Sequence, residues 1–157
     1  MLEIGDKAPE IETKTASGED FKLSDYRGQK IVLYFYPKDF TPGCTAEACS
    51  LRDSYTIFQG KDIPIFGISG GDAETHRKFR EEHDLPFPIL MDEDYKIAEK
   101  YEASSRLKIV GMGVKRITYL IDEEGKIEAI FGGDQGIADV KSAQHAEQII
   151  DYWGLQL

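Results

Sequence analysis

The stretch Ile31-Val-Leu-Tyr-Phe-Tyr-Pro-Lys-Asp-Phe-Thr-Pro-Gly-Cys-Thr-Ala-Glu-Ala-Cys49 decides the fold and carries both cysteines of the chain. Ile31 to Tyr36 is an almost continuous apolar run of β-branched and aromatic residues, the pattern of an interior strand of a parallel sheet. Pro37 ends it. After the turn Lys38-Asp39-Phe40, Thr41 is a suitable N-cap, and Pro42 fits the first helical position, where its missing N–H costs nothing. The pattern predicts a helix from Pro42 to about Phe58, closed by Gln59-Gly60, with Cys44 in its first turn.

That placement has a chemical consequence. The free N–H groups and the positive end of the helix dipole favour an anion, so a thiol there becomes a thiolate more readily. Cys44 is therefore the candidate nucleophile; the plain alternative is a small buried hydrophobe. A thiolate loses nucleophilicity as it loses basicity, so ionisation alone brings a modest gain. Other groups have to position and polarise the substrate.

Outward from this core, Thr15-Ala-Ser-Gly-Glu-Asp-Phe21 reads as a hairpin turn between two short strands, and Leu23 to Gly28 as a single helical turn. Ile63 to Ile68 is a second apolar strand, followed by a helix that Asp72 can cap and that runs to about His83. Strand then helix, twice, is an α/β signature. Pro86 to Met91 is a short strand, and Asp94 to Tyr101 a short helix with Ile97 and Tyr101 on one face. Ala103 to Val114 combines Ser104-Ser105, Arg106, Lys108, Gly111 and Gly113 in the manner of a mobile loop. Arg116 to Asp122 and Lys126 to Phe131 flank Glu123-Glu-Gly125 as an antiparallel hairpin. Ala138 to Trp153 has the spacing of a closing amphipathic helix.

Composition narrows the function. A chain of 157 residues is long enough for one sizeable core, and one domain over 1–157 is expected. With 29 acidic against 19 basic residues the net charge is −10, which disfavours nucleic acid and anionic membrane as partners. Met1-Leu-Glu-Ile-Gly-Asp6 has no leader character and no apolar run reaches membrane-spanning length, so a soluble, cytoplasmic protein is expected. Two cysteines make no disulfide scaffold, leaving reactive or inert thiols. His76 and His83 are spaced to share a helix face and His145 lies elsewhere; familiar zinc spacings are absent, so no metal is expected. Gly111-x-Gly113 lacks the third glycine of a dinucleotide fingerprint, and no cofactor is expected.

The run Tyr34 to Asp53 closely resembles the active-site segment of peroxiredoxins, in the branch known as PrxQ or bacterioferritin comigratory protein. Pro37, Thr41 and Cys44 match that family's Pro-x-x-x-Thr-x-x-Cys motif, and Cys49 matches the branch's second cysteine. The similarity continues through Phe66-Gly-Ile-Ser69, Leu85-Pro-Phe-Pro-Ile-Leu90 and Arg116-Ile-Thr-Tyr-Leu-Ile-Asp122. It implies a thioredoxin-like α/β fold with an N-terminal β-hairpin and a central mixed sheet flanked by helices. It further implies a peroxidatic Cys44, a resolving Cys49, a Thr41 that faces the peroxide and a Pro37 that shields the thiolate. Arg116 would lie beside the sulfur, with Glu47 holding it. Read locally, Pro37 is equally a strand terminator, Thr41 an N-cap, Arg116 a solvated charge at a strand edge and Glu47 a surface residue. A hydroperoxide substrate, a thioredoxin-like reductant and a monomeric state are the corresponding expectations.

Residues 44 and 49 pose a geometric problem for disulfide formation. In an intact helix a spacing of five residues puts the Cα atoms roughly 8 to 9 Å apart. A disulfide spans less than about 7 Å. The start of the helix therefore has to unwind during turnover, and Gly43 favours opening there. Two other classes remain open at this point: a redox sensor or holdase that switches a surface with the same cysteine pair, and a disulfide exchanger. The latter fits less well, because its Cys-x-x-Cys spacing and late Pro are missing.

Overall fold

A computed structural model describes residues 2–107, 112–133 and 136–156, without the side chains of 106, 107 and 112. The strands are β1 (Glu12–Lys14), β2 (Asp20–Lys22), β3 (Ile31–Phe35), β4 (Ile65–Ser69), β5 (Ile89–Met91), β6 (Ser104–Leu107), β7 (Met112–Val114), β8 (Ile117–Ile121) and β9 (Ile127–Phe131). The helices are α1 (Pro42–Asp53), α2 (Tyr55–Gly60), α3 (Ala73–Glu82), α4 (Lys96–Lys100) and α5 (His145–Trp153). Five strands form the central sheet in the order β5-β4-β3-β8-β9. β3 is its middle strand, parallel to β4 on one side and antiparallel to β8 on the other.

Alternation along β3 explains its unbroken apolar run. Ile31, Leu33 and Phe35 enter one core layer with Ile11 and Phe21 of the N-terminal hairpin region and Ala98 and Tyr101 around α4. Val32, Tyr34 and Tyr36 enter the other, against Ala48 and Leu51 of α1, Phe58 of α2, Phe79 of α3 and Ile149 of α5. A strand buried on both faces has no position where a polar side chain would reach water. The mixed sheet flanked by helices, with the β1–β2 hairpin beside it, is the thioredoxin-like arrangement the resemblance implies.

Three expectations need correction. The helix that starts at Pro42 breaks at Ser54, whose backbone (φ −107°, ψ 11°) leaves the helical region, and α2 then brings Phe58 into the core. The Ala103–Val114 segment is a strand pair, β6 with β7, and its residues 108–111, Lys108 and Gly111 among them, lie outside the described residues. The closing helix begins at His145, seven residues later than its apolar spacing suggested. Gln148 is the reason: its side-chain oxygen accepts from the Lys141 N–H (3.0 Å) and its amide donates to the Asp139 carbonyl (2.9 Å). Those bonds hold 139–141 in non-helical backbone before a short 3₁₀ turn, Ser142–Gln144.

Candidate active site

The site assembles where β3 hands over to α1. Phe40 takes a left-handed conformation (φ 65°) that reverses the chain after Pro37, and α1 begins two residues later. Thr41 is the N-cap by backbone geometry, but its side chain does not cap the helix. The hydroxyl donates to the Lys38 carbonyl (2.8 Å), closing the 38–41 turn instead. The first intrahelical bond here runs from the Thr45 N–H to the Thr41 carbonyl (2.9 Å), so the amides of Gly43 and Cys44 precede it as free donors of the first turn.

Cys44 is 1% exposed and packs with Tyr34, Tyr36 and Ala48. By itself that would suit the inert reading. Arg116, just before β8, changes it: its Nη2 donates to Cys44 Sγ (3.2 Å) and its Nη1 to Glu47 Oε1 (2.7 Å). One planar guanidinium thus spans a sulfur and a carboxylate. Gly43 gives this arrangement room, since a Cβ there would lie 3.0 Å from Arg116 Nη2 and press on the guanidinium. Gly43 therefore does more than loosen the helix start; it leaves room for the cation.

Glu47 is fully buried, whereas the Arg116 side chain is 24% exposed. Burial pushes the Glu47 carboxyl up to about 7, against the pull of Arg116. Burial also opposes the charge on Arg116, but Glu47 and Cys44 beside it prevail and raise its pKa above the usual arginine value. Both values move up: burial dominates at the carboxyl, which becomes harder to ionise, whereas the neighbouring acidic groups dominate at the guanidinium, which holds its proton more firmly. Behind Glu47, His145 Nε2 stands 3.7 Å from Oε2, too far for a hydrogen bond, and that oxygen has no hydrogen-bond partner among the described residues. His145 is committed elsewhere: Nδ1 to Gln148 Oε1 (2.9 Å) and Nε2 to Thr118 Oγ1 (2.8 Å). The orientation of Gln148 makes its oxygen the acceptor, so Nδ1 carries the proton and Nε2 accepts from the Thr118 hydroxyl. Burial, with Arg116 nearby and only partly offset by Gln148, lowers the His145 pKa to about 4, and the ring is neutral at pH 7.

Of the residues singled out in the sequence, Cys44, Arg116 and Glu47 meet directly, and Pro37 and Thr41 line the loop that leads into α1. Cys49 lies one turn and a half further along α1, half-buried; both cysteines are free thiols here. Sequence reasoning missed His145, Thr118, Asp39 and His76. Read from spacing, the histidines suggest at most metal ligands, and among the described residues no cluster of His, Cys, Asp or Glu is suited to a metal. Asp39 sits at a variable position of the motif, where only its burial distinguishes it.

Comparison with known proteins identifies the family. The model of the AhpC/TSA family matches residues 4–130. Peroxiredoxin Bcp of Bacillus subtilis (strain 168) is 51% identical over 129 residues, covering 80% of this chain and 82% of its own. The crystal structure of peroxidoxin BcpB from Mycobacterium tuberculosis superposes with a TM-score of 0.83 at 30% identity, covering 96% of each chain. A structure of Xanthomonas campestris bacterioferritin comigratory protein, described by its alkyl peroxide reduction activity, does so with a TM-score of 0.80 at 25% identity, covering 92% of this chain and 90% of that one. The chain belongs to the AhpC/TSA family of peroxiredoxins. Within it the relatives are those of the Bcp or PrxQ branch, and the chain is a thiol-dependent peroxidase.

Proposed function

We propose that Cys44 is the peroxidatic cysteine of a cytoplasmic, monomeric, single-domain enzyme that reduces hydrogen peroxide and alkyl hydroperoxides. The observation that carries this reading is the Arg116 guanidinium, hydrogen-bonded at once to Cys44 Sγ and to the buried Glu47. Its charge stabilises the thiolate, and Glu47 keeps the planar group from turning away. The Cys44 thiolate attacks the terminal oxygen of the hydroperoxide; the O–O bond breaks, sulfur is oxidised to sulfenic acid, and the leaving alkoxide or hydroxide takes up a proton to become alcohol or water. Arg116 and the Cys44 amide stabilise the charge that builds on the leaving oxygen. While the Thr41 hydroxyl donates to Lys38, its lone pairs are free to accept the peroxide O–H. Pro37, which matches the family motif, shields the thiolate from water.

Cys49 then attacks the sulfenic sulfur, expelling water and forming a disulfide once the first turns of α1 have unwound. A thioredoxin-like dithiol reduces that disulfide. The alkyl class of substrate is supported by the activity named for the Xanthomonas campestris relative. The test is hydroperoxide consumption coupled to a thioredoxin system. C44S is expected to abolish it, whereas C49S should retain the first oxidation and lose recycling by thioredoxin. Normal recycling by C49S would overturn the resolving role, and turnover by C44S the whole reading.

A further inference from the structure

Asp39 is the one charged side chain of the 37–41 loop that is buried, with 5% exposure. Its Oδ1 accepts from the Tyr36 hydroxyl (2.6 Å) and its Oδ2 faces His76 Nδ1 at 2.5 Å. Tyr36 stays a neutral phenol and hence a donor, because burial, with Asp39 adding to it, raises its pKa well above the ordinary value. His76 belongs to α3, is wholly buried, and its Nε2 has no hydrogen-bond partner among the described residues. Its ring is wedged between Asp39 and the turn after β4, where a Cβ on Gly71 would come within 3.1 Å of Cε1. Nothing in the peroxide chemistry uses these groups, and burying a carboxylate and an imidazole is unfavourable unless they are paired.

What they hold is the loop itself. α3 is a firm anchor, capped by Asp72 at the Thr75 N–H and pinned by the buried Phe79, against whose ring Phe40 stacks edge-on. Ser69 Oγ donates to the Tyr36 carbonyl (2.7 Å) and reaches that of Pro37 (3.3 Å). The segment between β3 and α1 is thus tied to β4 and α3 at its near end, and the far end is the helix start that has to open.

We propose that Asp39 and His76 are positioning residues that clamp the peroxidatic loop and set the balance between oxidation of Cys44 and its disulfide with Cys49. This rests on the assignment of those cysteines above. Clamped, the loop keeps Pro37, Thr41 and the first turn of α1 in the geometry that activates the thiolate. Released, it lets that turn unwind and Cys49 approach. The clamp therefore speeds the first step and slows the second. A slow second step leaves time for another hydroperoxide, itself reduced to its alcohol, to oxidise the sulfenic acid to the sulfinic acid.

The test uses the full chain with D39N and H76Q, both close in shape to the residues they replace. Rapid mixing with cumene hydroperoxide, followed by acid quench and mass spectrometry, reads sulfenic acid, disulfide and sulfinic acid separately. In D39N, formation of sulfenic acid should slow by about tenfold, the scale of one charge-assisted hydrogen bond. Disulfide formation should accelerate severalfold and the sulfinic yield at excess peroxide should fall; H76Q should follow with the same signs. A merely destabilised fold would not move the two rates in opposite directions. Unchanged rates, or two rates that shift together in both variants, overturn the proposal. If the wild type forms no Cys44–Cys49 disulfide, the cysteine assignment fails first and the clamp fails with it.

Discussion

Glu47 and His145 use the same two kinds of side chain as Asp39 and His76, and the outcomes differ. Asp39 and His76 are in direct contact at 2.5 Å, while Glu47 and His145 stand 3.7 Å apart. The cause is what each imidazole has already been asked to do. His145 spends both nitrogens on Gln148 and Thr118, so it has no proton to offer Glu47, and among the described residues the carboxyl is hydrogen-bonded by Arg116 alone. His76 keeps a ring nitrogen for Asp39. A buried carboxylate with a committed partner serves as a fixed strut; one that shares a single cation with a sulfur remains able to gain and lose a proton near neutrality.

The strongest way to break this contrast is to remove the shared cation. R116A removes the pull that holds the Glu47 pKa down, so the buried carboxyl takes up a proton at neutral pH, and it strips Cys44 of its donor. We expect a loss of about 1–3 kcal/mol in stability at neutral pH, the usual consequence of leaving a buried polar group without its hydrogen-bond partner. The rate constant for peroxide should fall by about 10²–10³, as when one preorganised donor is lost. Denaturant unfolding and stopped-flow oxidation check the two numbers. R116K should recover part of the stability and less of the rate, because an ammonium cannot fork between sulfur and carboxylate. Equal recovery of both would mean that charge alone matters.

The next effect is smaller and compares the pairs with each other. In double-mutant cycles on stability, D39N with H76Q should show a coupling of about 1–3 kcal/mol, whereas E47Q with H145Q should stay within about 0.5 kcal/mol. Similar couplings in the two cycles would erase the distinction, since it rests on a hydrogen bond being present in one pair and absent in the other.

The two pairs also mark how far the sequence could be read. β3, the Pro42 start of α1 and the β8–β9 hairpin follow from local rules: an apolar run, a proline at the first helical position, a glycine turn between two alternating segments. Cys44 stood out for the same local reason. Arg116 and Glu47 were legible only through the family resemblance, because 69 residues separate partners that the β3–β8 pairing brings together. The histidines were not legible. Whether a buried imidazole donates or accepts depends on neighbours distant in the chain, here Gln148, Thr118 and Asp39, and no periodicity encodes that. The late start of α5 was hidden similarly, because Gln148 reaches back to residues 139 and 141 and holds them out of the helix that their apolar spacing suggested.

The last comparison separates the two members of the uncoupled pair by pH. The Glu47 carboxyl rises from 4.5 to about 7 on folding, so the fold holds an extra proton between those values. Its contribution to stability is complete below about 4.5 and is lost as pH climbs through about 7. His145 goes the other way: lowered from 6.5 to about 4, it contributes fully above about 6.5 and loses that contribution as pH falls toward about 4. The two slopes oppose each other in the window they share, which flattens the wild-type profile there. E47Q removes the first slope and should gain stability relative to wild type as pH rises from 4.5 to 7. H145Q removes the second and should gain relative to wild type as pH falls from 6.5 to 4. Urea midpoints taken across that range for the three proteins test both signs. Parallel profiles would show that neither group changes its proton affinity on folding, and the contrast between a fixed strut and a titrating carboxyl would then lose its physical basis.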